Sequence, residues 1–248
     1  MTTGKLPDFI IAGCQKCGTT ALRHNLSKHT SLSFADPNVD KPNKEINFFR
    51  LGGENTFSRG VNWYTSLFKN DGKCWGESSP NYSFEPDVTS TKMHELHPNV
   101  KLIFAIRNPI DRAYSAYNHY MQVRPQSESW GNWLPNEDFV TNVERESAFS
   151  TYDYCSILGS YMKLFSKNQI HIVIQEQLLE SPTFEFEKIF NFLEVEPCNI
   201  ENTKVHCRKK KFELTKSERN YLSGFFKDKV SDLYDLLGTK IPVWGDWC

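Results

Sequence analysis

The run Phe9-Ile10-Ile11-Ala12-Gly13-Cys14-Gln15-Lys16-Cys17-Gly18-Thr19-Thr20-Ala21-Leu22 decides the fold. It reads as a buried strand over residues 9–12, a glycine-bounded turn, and a helix beginning at Thr19. That layout aims backbone N–H groups and a lysine at one point, which suits a phosphate. A nucleoside-triphosphate loop carries a glycine, four residues and then Gly-Lys-Ser/Thr. Gly13 and Gly18 have that separation, but Thr19 stands at the lysine position and the lysine has moved into the turn as Lys16. The loop suits phosphates without being built as an ATPase or GTPase loop. Strand-to-helix turns with a glycine also occur without any ligand, so a second motif is required.

That motif is Lys101-Leu102-Ile103-Phe104-Ala105-Ile106-Arg107-Asn108-Pro109-Ile110-Asp111-Arg112-Ala113-Tyr114-Ser115-Ala116-Tyr117. Residues 102–106 form a short apolar run, as in a central parallel strand. Arg107 follows at its carboxyl end, and Pro109 suits the first position of a helix. Ser115 lies about two turns into that helix, near the face that returns toward Arg107. A guanidinium is a forked donor matched to phosphate, and a hydroxyl adds another. Singly, Arg107 reads as a surface ion-pair partner and Ser115 as a solvated helix residue. In this order after the first loop they read as a second phosphate site.

The two motifs together resemble the sulfotransferases that use 3′-phosphoadenosine 5′-phosphosulfate (PAPS). Their 5′-phosphosulfate loop places a lysine two residues before Gly-Thr/Ser-Thr/Ser, as in Lys16-Cys17-Gly18-Thr19-Thr20. Their 3′-phosphate is bound by an arginine at a strand end and a serine eight residues later, as with Arg107 and Ser115. The resemblance runs from Pro7 to about Trp244. It implies PAPS as the donor, PAP as its product, and no metal. It also implies that Lys16, Cys17, Gly18, Thr19, Thr20 and Ala21 hold the 5′-phosphosulfate, with Lys16 neutralising charge on the leaving phosphate.

On the acceptor side, Lys44-Glu45-Ile46-Asn47-Phe48-Phe49 resembles a segment of the glycan sulfotransferases. There a glutamate is the catalytic base, followed by one residue, a histidine and two aromatics. Glu45 matches the base, Phe48 and Phe49 match the aromatics, and Asn47 replaces the histidine. A carboxylate shielded by aromatics has the chemistry of a general base; alone, Glu45 would read as a solvated loop residue. Gly76-Glu77-Ser78-Ser79-Pro80-Asn81-Tyr82 resembles a second segment, in which the heparan enzymes carry a lysine where Ser78 stands. It reads equally well as a strand-ending turn. The family's cytosolic members use a histidine base, but His94, His97 and His119 do not match that pattern and read as structural or solvated. Among the basic residues 208–211, Arg208, Lys209 and Lys210 match a segment that closes over the nucleotide's phosphates. The expected acceptor side comprises Asn47, Phe48, Ser78, Tyr82, Trp130 and Trp133, the two tryptophans lying in a lid-like stretch over 124–136.

The remaining order is a helix over 61–68, a strand over 73–77, a helix over 86–97 and the strand at 101–106. After it come helices over 109–122 and 156–166, a strand over 170–174, a helix over 184–193, and one or two helices over 215–237. Strands alternating with helices predict an α/β fold: a P-loop-like central parallel sheet with helices on both faces and a ligand at the strands' carboxyl ends. A chain of 248 residues without a convincing linker reads as one domain over 1–248. The short polar start lacks a signal peptide, and no segment reaches a membrane-spanning length of about 20 apolar residues. The expectation is a soluble, cytoplasmic protein with no membrane partner. A net charge of −1 argues against nucleic acid and against a highly sulfated polymer. A small metabolite, natural product or modest saccharide, accepting on a hydroxyl or an amine, fits better.

Seven cysteines include Cys14 and Cys17, formally a C-x-x-C pair, but no second pair or histidine cluster completes a zinc site. The resemblance places a disulfide at Cys198 and Cys207, although a reducing compartment would keep both as thiols. Two rival functions remain at this point: a P-loop-type nucleotide kinase or other phosphotransferase, and a non-catalytic nucleotide-binding module. Thr19 at the lysine position and the lack of a clear acidic Mg²⁺ site count against the first.

Overall fold

The computed structural model describes residues 4–35, 45–51, 56–123, 137–144, 153–203 and 213–247. The chain forms two compact units, Met1–Ile106 with Ile157–His206, and Arg107–Ser156 with Cys207–Cys248.

The first unit holds β1 (Phe9–Gly13), α1 (Thr19–Leu26), β2 (Leu32–Phe34), α2 (Gly60–Ser66), β3 (Cys74–Ser78), α3 (Pro86–Leu96) and β4 (Lys101–Ile106). The second unit has α4 (Pro109–Val123) and α5 (Phe139–Glu144), and α6 (Tyr154–Met162) begins there and returns the chain to the first. β5 (Ile170–Ile174), α7 (Gln175–Glu180) and α8 (Pro182–Leu193) complete the first unit, and α9 (Lys216–Leu237) belongs to the second.

The sheet is parallel throughout, in the order β2-β3-β1-β4-β5. This is the expected α/β sheet, and its strand bounds agree with the sequence reading to within a residue or two. β1 lies at its centre, with Phe9, Ile10, Ile11 and Ala12 all fully buried. A strand covered on both faces has to be apolar at every position, which is why its sequence does not alternate. α8 buries the stripe Phe186, Ile189, Phe190 and Leu193, at helical spacing. Each such aromatic contributes roughly 1.5–3 kcal/mol on burial. Gly76 of β3 leaves the room that the Phe9 ring fills: a Cβ there would lie 2.3 Å from the ring.

In the second unit, Tyr114 and Tyr117 of α4 meet the Phe139 ring edge-on at 5.7 and 5.3 Å. α9 packs beside α4, with Leu222, Phe226, Val230 and Leu233 buried, and Arg219 pairs with Asp111 at 3.0 Å. α9 is one continuous helix. Thr215 and Glu218 form a capping box at its start, and left-handed Gly238 ends it.

Three elements went unread in the sequence: β2, α5 and α7 have three, six and six residues, too few for a period to show. α6 also stops at Met162 rather than at residue 166. Ser166 is committed instead to a capping box on the 3-10 turn Lys167–Gln169, which redirects the chain into β5. Among the described residues no helix is long and apolar enough to cross a membrane.

Candidate active site

The turn after β1 is anchored by backbone bonds. Cys14 N–H donates to Ala105 O at 2.8 Å, and Cys17 N–H to Cys14 O at 3.3 Å. Lys16 adopts a left-handed φ of 65°, uncommon for a residue with a long side chain. Gly18 follows at φ 84° and sets the start of α1, where it offers no side-chain cap. The first N–H groups of any helix lack intrahelical acceptors and carry the positive end of the dipole. Here those of Thr19, Thr20 and Ala21 open the helix behind Lys16. Thr19 and Cys17 are buried, Thr20 is exposed, and Lys16 and Ala21 are half-buried. The donor set suits an anion. Gln175, at the start of α7, leans over the loop, its Nε2 lying 2.9 Å from where a Cβ on Gly18 would be.

The segment at 45–50 is held differently. Ile46 and Asn47 N–H both donate to Ser79 Oγ, at 3.1 and 3.0 Å, and Phe48 N–H donates to the Tyr82 hydroxyl at 2.8 Å. Those hydroxyls donate in turn to Glu77: Ser79 to Oε2 at 3.0 Å, and Tyr82 to Oε1 at 3.1 Å. Tyr64 donates to the same Oε1 at 2.7 Å. Glu77 is fully buried, and burial pushes its carboxyl up to about 7 against the three hydrogen bonds that favour the ionised form. Burial next to Glu77 also drives the Tyr64 and Tyr82 hydroxyls well above their ordinary range, so both remain protonated donors.

Above this buried frame sits a polar chain. Asn81 Nδ2 donates to Glu45 Oε2 at 2.6 Å and to Asn47 Oδ1 at 3.2 Å. Gln15 Nε2 of the turn after β1 donates to Asn81 Oδ1. The structure therefore brings Gln15, Asn81, Glu45 and Asn47 together within one unit. Asn47 has a left-handed φ of 55°, a conformation that asparagine tolerates better than most residues.

In the second unit, Arg107 is gripped by its backbone. The Tyr154 hydroxyl donates to Arg107 O at 2.9 Å and accepts from Arg107 N–H at 3.4 Å. Asn108 Oδ1 accepts from Ile110 N–H at 3.1 Å, capping α4, and Pro109 opens the helix as expected. Arg107 and Ser115 are both half-buried.

A family model described as a sulfotransferase domain matches residues 6–231. The chain belongs to the sulfotransferase family. The match spans both units. Membership of this family counts against the rival phosphotransferase reading. Bifunctional heparan sulfate N-deacetylase/N-sulfotransferase 4 of Mus musculus is 27% identical, covering 98% of this chain and 31% of the relative. Bifunctional heparan sulfate N-deacetylase/N-sulfotransferase 1 of Caenorhabditis briggsae is 29% identical, covering 96% and 31%. The chain thus spans under a third of the length of these curated relatives. A sulfotransferase structure from Alicyclobacillus acidocaldarius superposes with a TM-score of 0.74 at 25% identity, over 97% of this chain and 99% of that one. The mouse sulfotransferase SULT7A1 complexed with PAP shares the fold, with a TM-score of 0.52 at 16% identity over 78% and 61%.

Not every expected residue of this sulfotransferase sits at a surface. Phe48 and Tyr82 are fully buried, Phe48 stacked 4.2 Å from the Tyr64 ring and Tyr82 bonded to Glu77. As placed, they have no surface to offer an acceptor and serve instead to hold the Glu45 segment. Ser78 ends β3 and is 5% exposed. Trp130, Trp133, Arg208, Lys209, Lys210 and Cys207 lie outside the described residues. Reading the sequence missed Gln15, Ser79, Asn81, Glu77, Tyr64 and Tyr154. Several stand inside motifs already quoted, so the available signal was a polar side chain beside each recognised residue.

Proposed function

We propose that this sulfotransferase uses PAPS and moves its sulfuryl group to a hydroxyl or amine of a saccharide or other small acceptor. PAPS supplies the activated sulfuryl group. The turn amides, Thr19 and Thr20 hydroxyls and Lys16 would hold its 5′-phosphosulfate, and Arg107 and Ser115 its 3′-phosphate. Glu45 takes the acceptor proton as the new bond to sulfur forms. Lys16 faces the charge left on the phosphate when the old bond breaks.

The observation that carries this reading is the path Gln15–Asn81–Glu45, two hydrogen bonds that join a carboxylate to the phosphate turn. Glu45 is only half-buried, so the group is open to an acceptor. The neutral amides of Gln15, Asn47 and Asn81 around it favour an acceptor without a dense negative charge. The names of the curated relatives, which include N-sulfotransferase of heparan sulfate, support a saccharide amine as the first acceptor to try.

The test is a thermal-shift titration with PAP and with ATP on wild type and Arg107→Ala. A ligand bound only by the folded state raises stability by RT ln(1 + [L]/Kd), about 2.7 kcal/mol at a hundredfold excess over Kd. The expected result is a PAP-selective rise that Arg107→Ala removes. An equal response to ATP that survives the substitution would overturn the donor assignment.

A further inference from the structure

We propose that Asn81 is the positioning residue for Glu45, fixing one carboxylate oxygen and tying it to the phosphate turn; this rests on Glu45 being the base. The orientation of the Asn81 amide follows from what its neighbours accept. An ionised carboxylate only accepts hydrogen bonds, so Asn81 has to present its NH₂ to Glu45. That is the observed arrangement, with Nδ2 on Glu45 Oε2 at 2.6 Å and on Asn47 Oδ1 at 3.2 Å. The amide oxygen is thereby turned toward Gln15, which donates to it. Both ends of one rigid, planar group are used, and the group is only 7% exposed.

Asn81 is itself held. It lies in the 3-10 turn Pro80–Ser83 directly after β3, between Ser79 and Tyr82, the two residues that grip the backbone of residues 46–48. The Ser79 N–H donates to Ile11 O of β1 at 3.0 Å, which fixes the start of this turn against the strand leading into the phosphate turn. The same short stretch thus holds both the main chain and the carboxylate of the Glu45 segment. Engaging Oε2 through Asn81 directs proton transfer to Oε1. A base restrained in this way loses less freedom at the moment of reaction.

The chemistry requires an amide at this position. Aspartate has the same shape but no N–H, and it would set a second negative charge against Glu45. Two carboxylates in one site raise the pKa of one of them strongly. Alanine removes the tether and adds no charge.

The experiment compares wild type, Asn81→Ala, Asn81→Asp and Glu45→Gln of the full chain. The Glu45 carboxyl is followed by carbon-13 NMR with side-chain-labelled glutamate, its signal assigned by its loss in Glu45→Gln. Turnover of PAPS is measured with an oligosaccharide bearing free amines, and affinity with PAP. In Asn81→Asp the Glu45 titration moves up by about one pH unit or more, and the acid limb of the rate profile moves with it. Asn81→Ala lowers kcat about 10- to 100-fold, with PAP affinity and the KM for PAPS held near wild type. A Glu45 titration that is the same as wild type in both Asn81→Asp and Asn81→Ala overturns the proposal, and this readout needs no acceptor. Full turnover in Glu45→Gln would instead remove the base reading on which the proposal rests, so the two failures are told apart.

Discussion

In the Lys16 turn the main chain holds itself: Cys14 bonds to β4, Cys17 back to Cys14, and Leu22 to Gly18. In the Glu45 segment three consecutive N–H groups go to side-chain hydroxyls of Ser79 and Tyr82. Both loops belong to the same unit and both carry a left-handed non-glycine residue, Lys16 in one and Asn47 in the other. The difference is in what a substitution elsewhere does to them. A loop held by main-chain bonds to its own strand and helix tolerates change in distant side chains. A loop hung from hydroxyls that all converge on one buried acid depends on that acid.

The strongest way to break the comparison is Glu77→Leu. It leaves the Tyr64, Tyr82 and Ser79 hydroxyls without their shared acceptor in a fully buried site. The expected cost is about 4 kcal/mol, read by urea unfolding, with the Glu45 segment loosened and the Lys16 turn intact. PAP binding by the folded fraction should persist while turnover falls. Simultaneous loss of both would show that the two loops are not independently held.

The next effect is a pH dependence. Burial raises the Glu77 carboxyl from the ordinary 4.5 to about 7. Across that window the folded protein keeps a proton that the unfolded chain has released. Stability therefore falls as pH rises from about 4.5 to about 7, by about 3 kcal/mol at most, and levels off above. Glu77→Gln should flatten that slope in unfolding curves taken at several pH values. A slope unchanged by the substitution would assign it to other groups.

A smaller effect tests the other loop. Gly18→Ala places a Cβ at φ 84° and against the flexible end of Gln175. The left-handed backbone costs about 1–2 kcal/mol. PAP affinity should drop along with stability while the Glu45 titration stays in place. The smallest effect belongs to Tyr154→Phe, which removes the hydroxyl that brackets the Arg107 backbone. About 1 kcal/mol is expected, with a matching loss of PAP affinity; an unchanged affinity would show that α4 alone orients Arg107.

The same contrast explains what the sequence disclosed. β1, the Lys16 turn and α1 are contiguous, so apolar run, glycine and helix start could be read in order. β4 and Arg107 were legible for the same reason, and Pro109 and Ile170–Ile174 fell where expected. Glu45 was found through resemblance, but its support was not, because Ser79, Asn81 and Glu77 lie more than thirty residues away along the chain. Phe48 and Tyr82 were read as acceptor-side residues since an aromatic beside a polar run looks the same whether it lines a pocket or fills a core. Their complete burial is a property of the packed fold. Asn47 in place of histidine looked like a loss; its φ of 55° gives the substitution a backbone use.

Gly76 pairs directly opposite Phe9 in the sheet, and the phenyl ring lies where its Cβ would be. Sliding β3 by two residues would keep every side chain on its proper face, so hydrophobic patterning alone cannot forbid it. That slide would put Cys74 or Ser78 beneath the ring, and either side chain would collide with it. The glycine thus works as a notch that admits one alignment of the two strands. Asn81 is delivered by the chain emerging from β3 and Gln15 by the chain emerging from β1, so the notch also sets whether these two amides meet. A glycine with no side chain of its own thus decides whether the Asn81 amide, five residues downstream, meets Gln15.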